Sequence, residues 1–161
     1  MNKSEVQQRV LDSGKPLDLD KFEWDEDNNI FSTEEEDLVL DFRGVEGVTF
    51  NTGDWCIFDT GDGCVFETGD RCVFNTDDNC QFKTDGGCIF YTADSCEFKT
   101  GEECVVVRRD IYEVIELPKD QRIRLKEYAI KGYEVIEEEE KKEEEIMILN
   151  GKKYKLTEIK E

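Results

Sequence analysis

The sequence predicts an all-β chain, mainly a β-solenoid of eight-residue repeats wound two to a coil, with a cap at each end. Three observations carry this. Cys stands at 56, 64, 72, 80, 88, 96 and 104 and nowhere else. Phe returns at 42, 50, 58, 66, 74, 82, 90 and 98, and Thr at 52, 60, 68, 76, 84, 92 and 100. The three types keep step as Cys-x-Phe-x-Thr-Gly-Asp-x over seven units, which chance does not produce.

The N-terminal cap is residues 1–37. Ser4 is placed to N-cap a short helix over Glu5–Leu11, closed by Gly14. Phe22, Trp24, Ile30 and Phe31 follow among acids and read as irregular or short β structure over the first coil.

The solenoid is 38–107. Within a unit Cys, Phe and Thr lie two apart, so in a strand they share one face. The residues after Thr are turn chemistry, with Gly53, Gly61, Gly69 and Gly101 expected to supply positive φ. A meander of two-residue hairpins would turn the apolar set of every second unit outward, which a half-buried sheet does not tolerate. A solenoid keeps each unit facing inward and stacks like on like. Three units per coil would give a 24-residue triangular coil; two, a 16-residue coil, is the favoured reading because it suits a thin core in which small Cys faces large Phe. The predicted core is Cys56, Cys64, Cys72, Cys80, Cys88, Cys96 and Cys104 with Phe42, Phe50, Phe58, Phe66, Phe74, Phe82, Phe90 and Phe98. Leu40 and Val48 fall in the Cys frame, Phe42 in the Phe frame, and the Thr hydroxyls are expected to bond to turn backbone.

The C-terminal module is 108–161. Ile111–Leu117 alternates, Arg122–Ile130 and Tyr133–Ile136 suggest a hairpin about Lys131-Gly132, and Glu137–Glu145 is a solvated charge run. Ile146–Leu149 and Tyr154–Ile159 flank Asn150-Gly151, a type I′ hairpin signal.

The 161 residues carry 21 Lys+Arg, 41 Asp+Glu and no His, a formal charge of −20. Residues 1–104 hold nearly all of the excess. This excludes a basic face for nucleic acid or anionic membrane. It also removes His-based zinc sites and the commonest general base. The Cys-x7-Cys spacing fits no zinc motif, and a nucleophilic Cys lacks a base, so the thiols read as apolar filler. No apolar run reaches membrane-spanning length and the N-terminus lacks a signal-peptide core, so the expected location is cytoplasmic. Thr shares the inward Phe phase, which argues against a flat ice-binding lattice.

Asp54, Asp62, Asp70, Asp78, Asp94 and Glu102 are expected to line the turns in two vertical rows. Hydrogen bonds within each turn would offset their mutual repulsion. Asp25, Glu26 and Asp27, with Glu34, Glu35, Glu36 and Asp37, form a second acidic patch. The sequence therefore points to a non-enzymatic protein without a cofactor or metal that binds a basic, nucleic-acid-binding protein. The alternatives are a structural spacer that forms homo-oligomers through its C-terminal module, and a calcium-binding β-roll.

The repeat from Val48 to Cys104, the lead-in Leu38–Phe42 and the exit Cys104–Arg109 resemble octapeptide-repeat (CTFNTG-type) proteins of bacteriophage and prophage genomes. The resemblance implies a phage source and the host-cell cytoplasm, with no settled activity. A second likeness is architectural: acidic pentapeptide-repeat solenoids copy the charge of duplex DNA and inhibit DNA-binding enzymes, which suggests a nucleic-acid mimic that opposes a host defence.

Overall fold

A computed structural model describes residues 1–137 and 146–155. The chain opens with helix α1 (Lys3–Gln7) and a hairpin of β1 (Val10–Asp12) and β2 (Lys15–Pro16). A 3-10 turn, Leu19–Lys21, leads to β3 (Glu23–Asp25) and β4 (Ile30–Ser32). The repeat region contributes β5 (Leu38–Phe42), β6 (Thr49–Asn51), β7 (Ile57–Thr60), β8 (Val65–Thr68) and β9 (Val73–Asn75). It continues with β10 (Gln81–Thr84), β11 (Ile89–Thr92), β12 (Glu97–Lys99) and β13 (Val105–Arg108). The C-terminal part adds β14 (Glu113–Glu116), β15 (Ile123–Leu125), β16 (Tyr133–Val135), β17 (Ile146–Leu149) and β18 (Lys152–Lys155).

Consecutive octads lie in opposite sheets, so two octads make one 16-residue coil and the chain is a β-solenoid. Sheet A has the order β14-β13-β11-β9-β7-β5-β1-β2, and sheet B β16-β15-β12-β10-β8-β6-β4-β3. Strands β5, β7, β9, β11 and β13 run parallel, as do β4, β6, β8, β10 and β12, giving about five turns. The register stacks identical residues: Phe58 on Phe74 on Phe90 in sheet A, and Phe50 on Phe66 on Phe82 on Phe98 in sheet B.

The core is two columns of rings that meet edge to face. Within a column, centroids are 4.8–5.2 Å apart and planes differ by 3–11°, as the coil pitch dictates. Across the core, Phe66 and Phe74 sit at 5.1 Å and 75°, and Phe74 and Phe82 at 5.1 Å and 74°. Both geometries suit the ring quadrupole, and each aromatic pair adds about 0.5–1.5 kcal/mol beyond burial. All seven thiols and all eight Phe of the predicted core are buried.

The thiols do more than fill space. The Sγ of Cys72 donates to Gly53 O at 3.6 Å, that of Cys80 to Gly61 O at 3.5 Å, and that of Cys96 to Asp77 O at 3.5 Å. Each bond reaches nineteen residues back, to the turn of the coil below, so Cys supplies a weak donor where Ala or Val could not. The hydroxyls of Thr84 and Thr92 donate to the next carbonyl at 3.2 Å, whereas those of Thr60, Thr68 and Thr100 have no partner.

The turns differ from expectation in two ways. Gly53, Gly61, Gly69 and Gly101 do not take positive φ. The left-handed residue is the one before Cys: Trp55 (φ 60°), Arg71 (54°), Asn79 (57°), Ser95 (58°) and Glu103 (59°), with Gly63 and Gly87. This residue turns its N–H along the stack: Trp55 N donates to Asp70 O at 2.9 Å, and Gly87 N to Glu102 O at 2.8 Å. The glycine after Thr answers crowding instead. A Cβ on Gly61 would lie 2.9 Å from Val45 O, and one on Gly69 1.8 Å from Asp54 Oδ1.

The ends are closed by antiparallel strands, which removes open parallel edges. β1 pairs with β5, β14 with β13, and β15 with β12. The expected helix from Ser4 to Leu11 is corrected: Asn2 is the N-cap, in a capping box with Glu5, and the helix stops at Gln7. Val10–Asp12 is taken instead as a strand between β5 and β2, so sheet pairing overrides helix propensity. The Leu40–Phe42 frame is also corrected. Leu40 pairs with Phe58 and Phe42 with Thr60, so Phe42 is buried in the Thr row. Two extra residues in the Arg43–Gly47 turn shift the phase.

At the other end Val106 takes the Phe row and Arg108 the Thr row. Arg108 is fully buried and donates to Asp110 at 2.6 Å and to Ile130 O at 2.5 Å, locking the cap. β15 and β16 pair as expected, although the connecting loop runs from Lys126 to Gly132 rather than turning at Lys131-Gly132. Asn150 (φ 51°) and Gly151 (φ 74°) form the expected turn, and β18 starts at Lys152 rather than Tyr154. Most of the Glu137–Glu145 charge run and residues 156–161 lie outside the described residues.

Candidate functional site

The two corners of the coil carry the predicted acids. Going from sheet B to sheet A, the turns stack Asp54, Asp70, Gly86 and Glu102; going from A to B, they stack Asp62, Asp78 and Asp94. The two further acidic clusters, which sequence reading grouped as one patch, continue different corners. Asp37 is left-handed and donates its N–H to Asp54 O at 3.1 Å, so Glu34–Asp37 extends the B-to-A corner. Asn29 is left-handed and accepts from Thr49 N at 3.0 Å, so Asp25–Asp27 extends the A-to-B corner.

Three of the turn carboxylates, Asp54, Asp62 and Asp70, are satisfied by the next coil and not by their own turns, contrary to the sequence expectation. Asp54 Oδ1 accepts from Asp70 N at 2.8 Å, Asp62 Oδ1 from Asp78 N at 3.0 Å, and Asp70 Oδ1 from Gly86 N at 2.9 Å. Each bond spans sixteen residues, so the acid stitches its coil to the next one. A charge-assisted bond to backbone N–H offsets the repulsion down the row, which at ~4.8 Å is about 1 kcal/mol or less in water. Asp94 accepts from Ser95 Oγ in its own turn at 3.3 Å, and Asp25 behaves as a local turn acid, accepting from the N–H groups of Asp27 and Asn28. That hydrogen bonding, led by the Asn28 side chain, lowers its pKa.

Asp78 is the exception in the rows. Partial burial, a shared hydrogen bond with Asp94 and the charges of Asp94, Asp62 and Asp77 raise its pKa to about 6. Cations meet some of the acids: Lys119 reaches Glu102 at 2.7 Å, Arg109 reaches Asp77 at 3.4 Å, and Lys21 lies 3.7 Å from Glu35. The hydrogen bond from Lys119 holds Glu102 below its usual value.

Two features of the surface escape the octad consensus. Trp55 projects from the B-to-A corner, 48 % exposed, with the Arg71 guanidinium over its ring at 4.9 Å. On the outer face of sheet A, the residue after each Cys forms an in-register ladder: Val39, Ile57, Val73, Ile89 and Val105. The matching ladder on sheet B is Thr49, Val65, Gln81 and Glu97. Sheet B is dressed with ion pairs, Lys83 to Glu67 at 3.4 Å and Glu97 to Arg122 at 2.8 Å and to Arg124. Burial works against ionised Glu97, but its hydrogen bonds from Arg124 and Arg122 prevail and hold its pKa down. The contrast between faces becomes visible in the sequence only when that position is read with a period of sixteen.

The thiols offer no accessible nucleophile. The neighbouring Cys80 thiol and burial push Cys64 up. At Cys80 a hydrogen bond from Cys64 pulls down, yet Cys96 and burial raise it to about 12. Among the described residues, no group of three or more His, Cys, Asp or Glu is arranged to hold a metal ion, and no helix is long and apolar enough to cross a membrane. Compared with known proteins, the chain matches no family model, no curated protein and no solved structure.

Proposed function

We propose that the protein is a non-enzymatic binder of a basic protein surface, and that it occupies the nucleic-acid-binding cleft of a host protein as a rigid anionic mimic. The carrying observation is the charge density along the corners. Asp54, Asp62, Asp70, Asp77, Asp78, Asp85, Asp94, Glu102 and Glu103 project from the corners of about three coils, with Arg71, Arg109 and Lys119 among them. At ~4.8 Å per coil this is about one net charge per 2.5 Å of axis, against about 1.7 Å in duplex DNA. The Asp-to-backbone bonds fix the acids in place, so a partner meets carboxylates with little ordering cost, and the field steers it from a distance. The resemblance to phage octapeptide-repeat proteins supports a bacterial cell as the setting.

The test is an immobilised full-length chain exposed to bacterial lysate at low salt and eluted with rising salt. The reading expects a basic nucleic-acid-binding protein, released as salt increases and displaced by duplex DNA. A variant with Glu34→Lys, Glu36→Lys and Asp94→Lys, which leaves the Asp54, Asp62 and Asp70 bonds in place, should lose that protein. Capture of nothing at low salt, or equal capture by the variant, would end this reading.

A further inference from the structure

We infer that the outer face of sheet A is a docking surface for a second copy of this chain, packed face to face about a two-fold axis near Val73. This goes beyond the acidic-corner reading and does not rest on it.

The first argument is that the described residues leave this face uncovered. Parallel sheets are ordinarily covered on both faces. On sheet B the Lys83–Glu67 and Glu97–Arg122 ion pairs surround one exposed apolar ladder residue, Val65 at 37 %; on sheet A Val39 is 41 % exposed, Ile57 48 % and Ile89 39 %. β-branched side chains in register make a flat, stiff surface of the kind that interdigitates between stacked sheets ~10 Å apart.

The second argument is charge. Two copies at −20 repel over most approaches. The row beside the ladder reads Asp41, Asp59, Asn75, Tyr91 and Val107. Both acids face Arg43, at 2.6 Å and 3.7 Å, and Glu116 lies beside Val105 in β14, so this face holds only a small part of the chain's negative charge. The row is also graded: its acids lie toward the N-terminal coils, while Tyr91 and Val107 lie toward the C-terminal ones, and Arg109 folds back over Asn75 and Asp77 at mid-row. Reversing one copy against the other sets Asp41 and Asp59 of each against Val107 and Tyr91 of its mate. A two-fold interface requires such self-complementarity, and a parallel arrangement would oppose acid to acid.

The third argument is area. The seven strands from β1 to β14, at ~4.8 Å spacing and four residues of ~3.3 Å, give a footprint of about 440 Å² per copy. Doubled and enlarged by side-chain relief, this meets the ~1,000 Å² that a specific interface needs without reaching the obligate class. The pair is therefore a reversible dimer in the micromolar range.

Sedimentation of the full chain across ~1–100 µM tests this, since a micromolar dimer dissociates within that window. The mass should rise with concentration toward twice 18.7 kDa. Ile57→Lys with Ile89→Lys should hold the chain at monomer mass with an unchanged circular dichroism spectrum, whereas Val65→Lys on sheet B should leave the dimer intact. Val73→Cys should cross-link to itself through a short bismaleimide, and Val39→Cys only to Val105→Cys on the other copy. The seven native thiols are at most 1 % exposed and should stay silent in the unmodified chain. A monomer at every concentration, equal loss of the dimer in Val65→Lys, or self-cross-linking of Val39→Cys overturns the inference.

Discussion

Gly69→Ala isolates the bond that ties one coil to the next. Gly69 does not sit at positive φ, so a methyl group adds no backbone strain there. The new Cβ would instead lie 1.8 Å from Asp54 Oδ1 and 3.1 Å from Asp54 N. The backbone contact is tight but tolerable, whereas the carboxylate has to swing away. It then abandons Asp70 N, now 2.8 Å distant, in a half-buried turn. Loss of a charge-assisted bond that leaves an N–H unpaired costs about 1.5–3 kcal/mol. Reduced freedom of the unfolded chain returns about 0.4–1 kcal/mol. The net is a destabilisation of about 1–2 kcal/mol, or roughly 2–8 °C in melting temperature for a chain of this size. Urea unfolding of the variant measures it, and a double-mutant cycle with Asp54→Ala assigns it. Without the carboxylate the methyl group has nothing to displace, so Gly69→Ala should become neutral or slightly stabilising. If the penalty is the same in both backgrounds, Asp54 is not the stitch between these coils.

Other consequences are equally accessible. The pKa of Asp78, raised from 3.8 to about 6, means that the folded chain binds the extra proton between those values. Stability therefore falls as pH rises from about 4 to 6; after solvent screening the change is about 1–2 kcal/mol. Melting curves across that window should show the decline, and Asp78→Asn should remove it and stabilise the chain at pH 7. Phe74→Ala opens both ring columns at mid-stack and should cost about 3–5 kcal/mol in urea unfolding, whereas Tyr91→Ala on the surface should cost far less. Arg108→Met leaves Asp110, whose side chain is 3 % exposed, without its cation. A loss of about 3–5 kcal/mol is expected, with amide exchange rising first in β14 to β16.

The winding was legible because Phe, Cys and Thr share one strand face, and only same-sense coiling keeps that face inward for every octad. The corner geometry was not. The left-handed position is filled by residues as unlike as Trp55, Arg71 and Glu103, so no composition marks it; bonds along the stack hold them there. Turn aspartates read by local chemistry belong to their own turns, yet Asp54, Asp62 and Asp70 serve the coil above, a contact sixteen residues away. The misplaced Phe42 and the shortened helix have related causes: an insertion at Arg43–Gly47, and a sheet edge that recruits Val10–Asp12. The acidic residues themselves were evident in the sequence. Their assignment to two corners depended on Asp37 joining the left-handed column of Trp55 and on the Asn29 carbonyl pairing with Thr49, which only the stacking reveals.

The central claim is that octads stack in parallel register at a spacing of sixteen residues. Backbone nuclear Overhauser contacts in isotope-labelled protein test it most directly. The account predicts inter-strand contacts joining Phe58 to Phe74 and Phe74 to Phe90, with Phe66 joined in the same way to Phe82 and not to Phe58. Antiparallel contacts between successive octads, Phe58 with residues about Phe66, would contradict it.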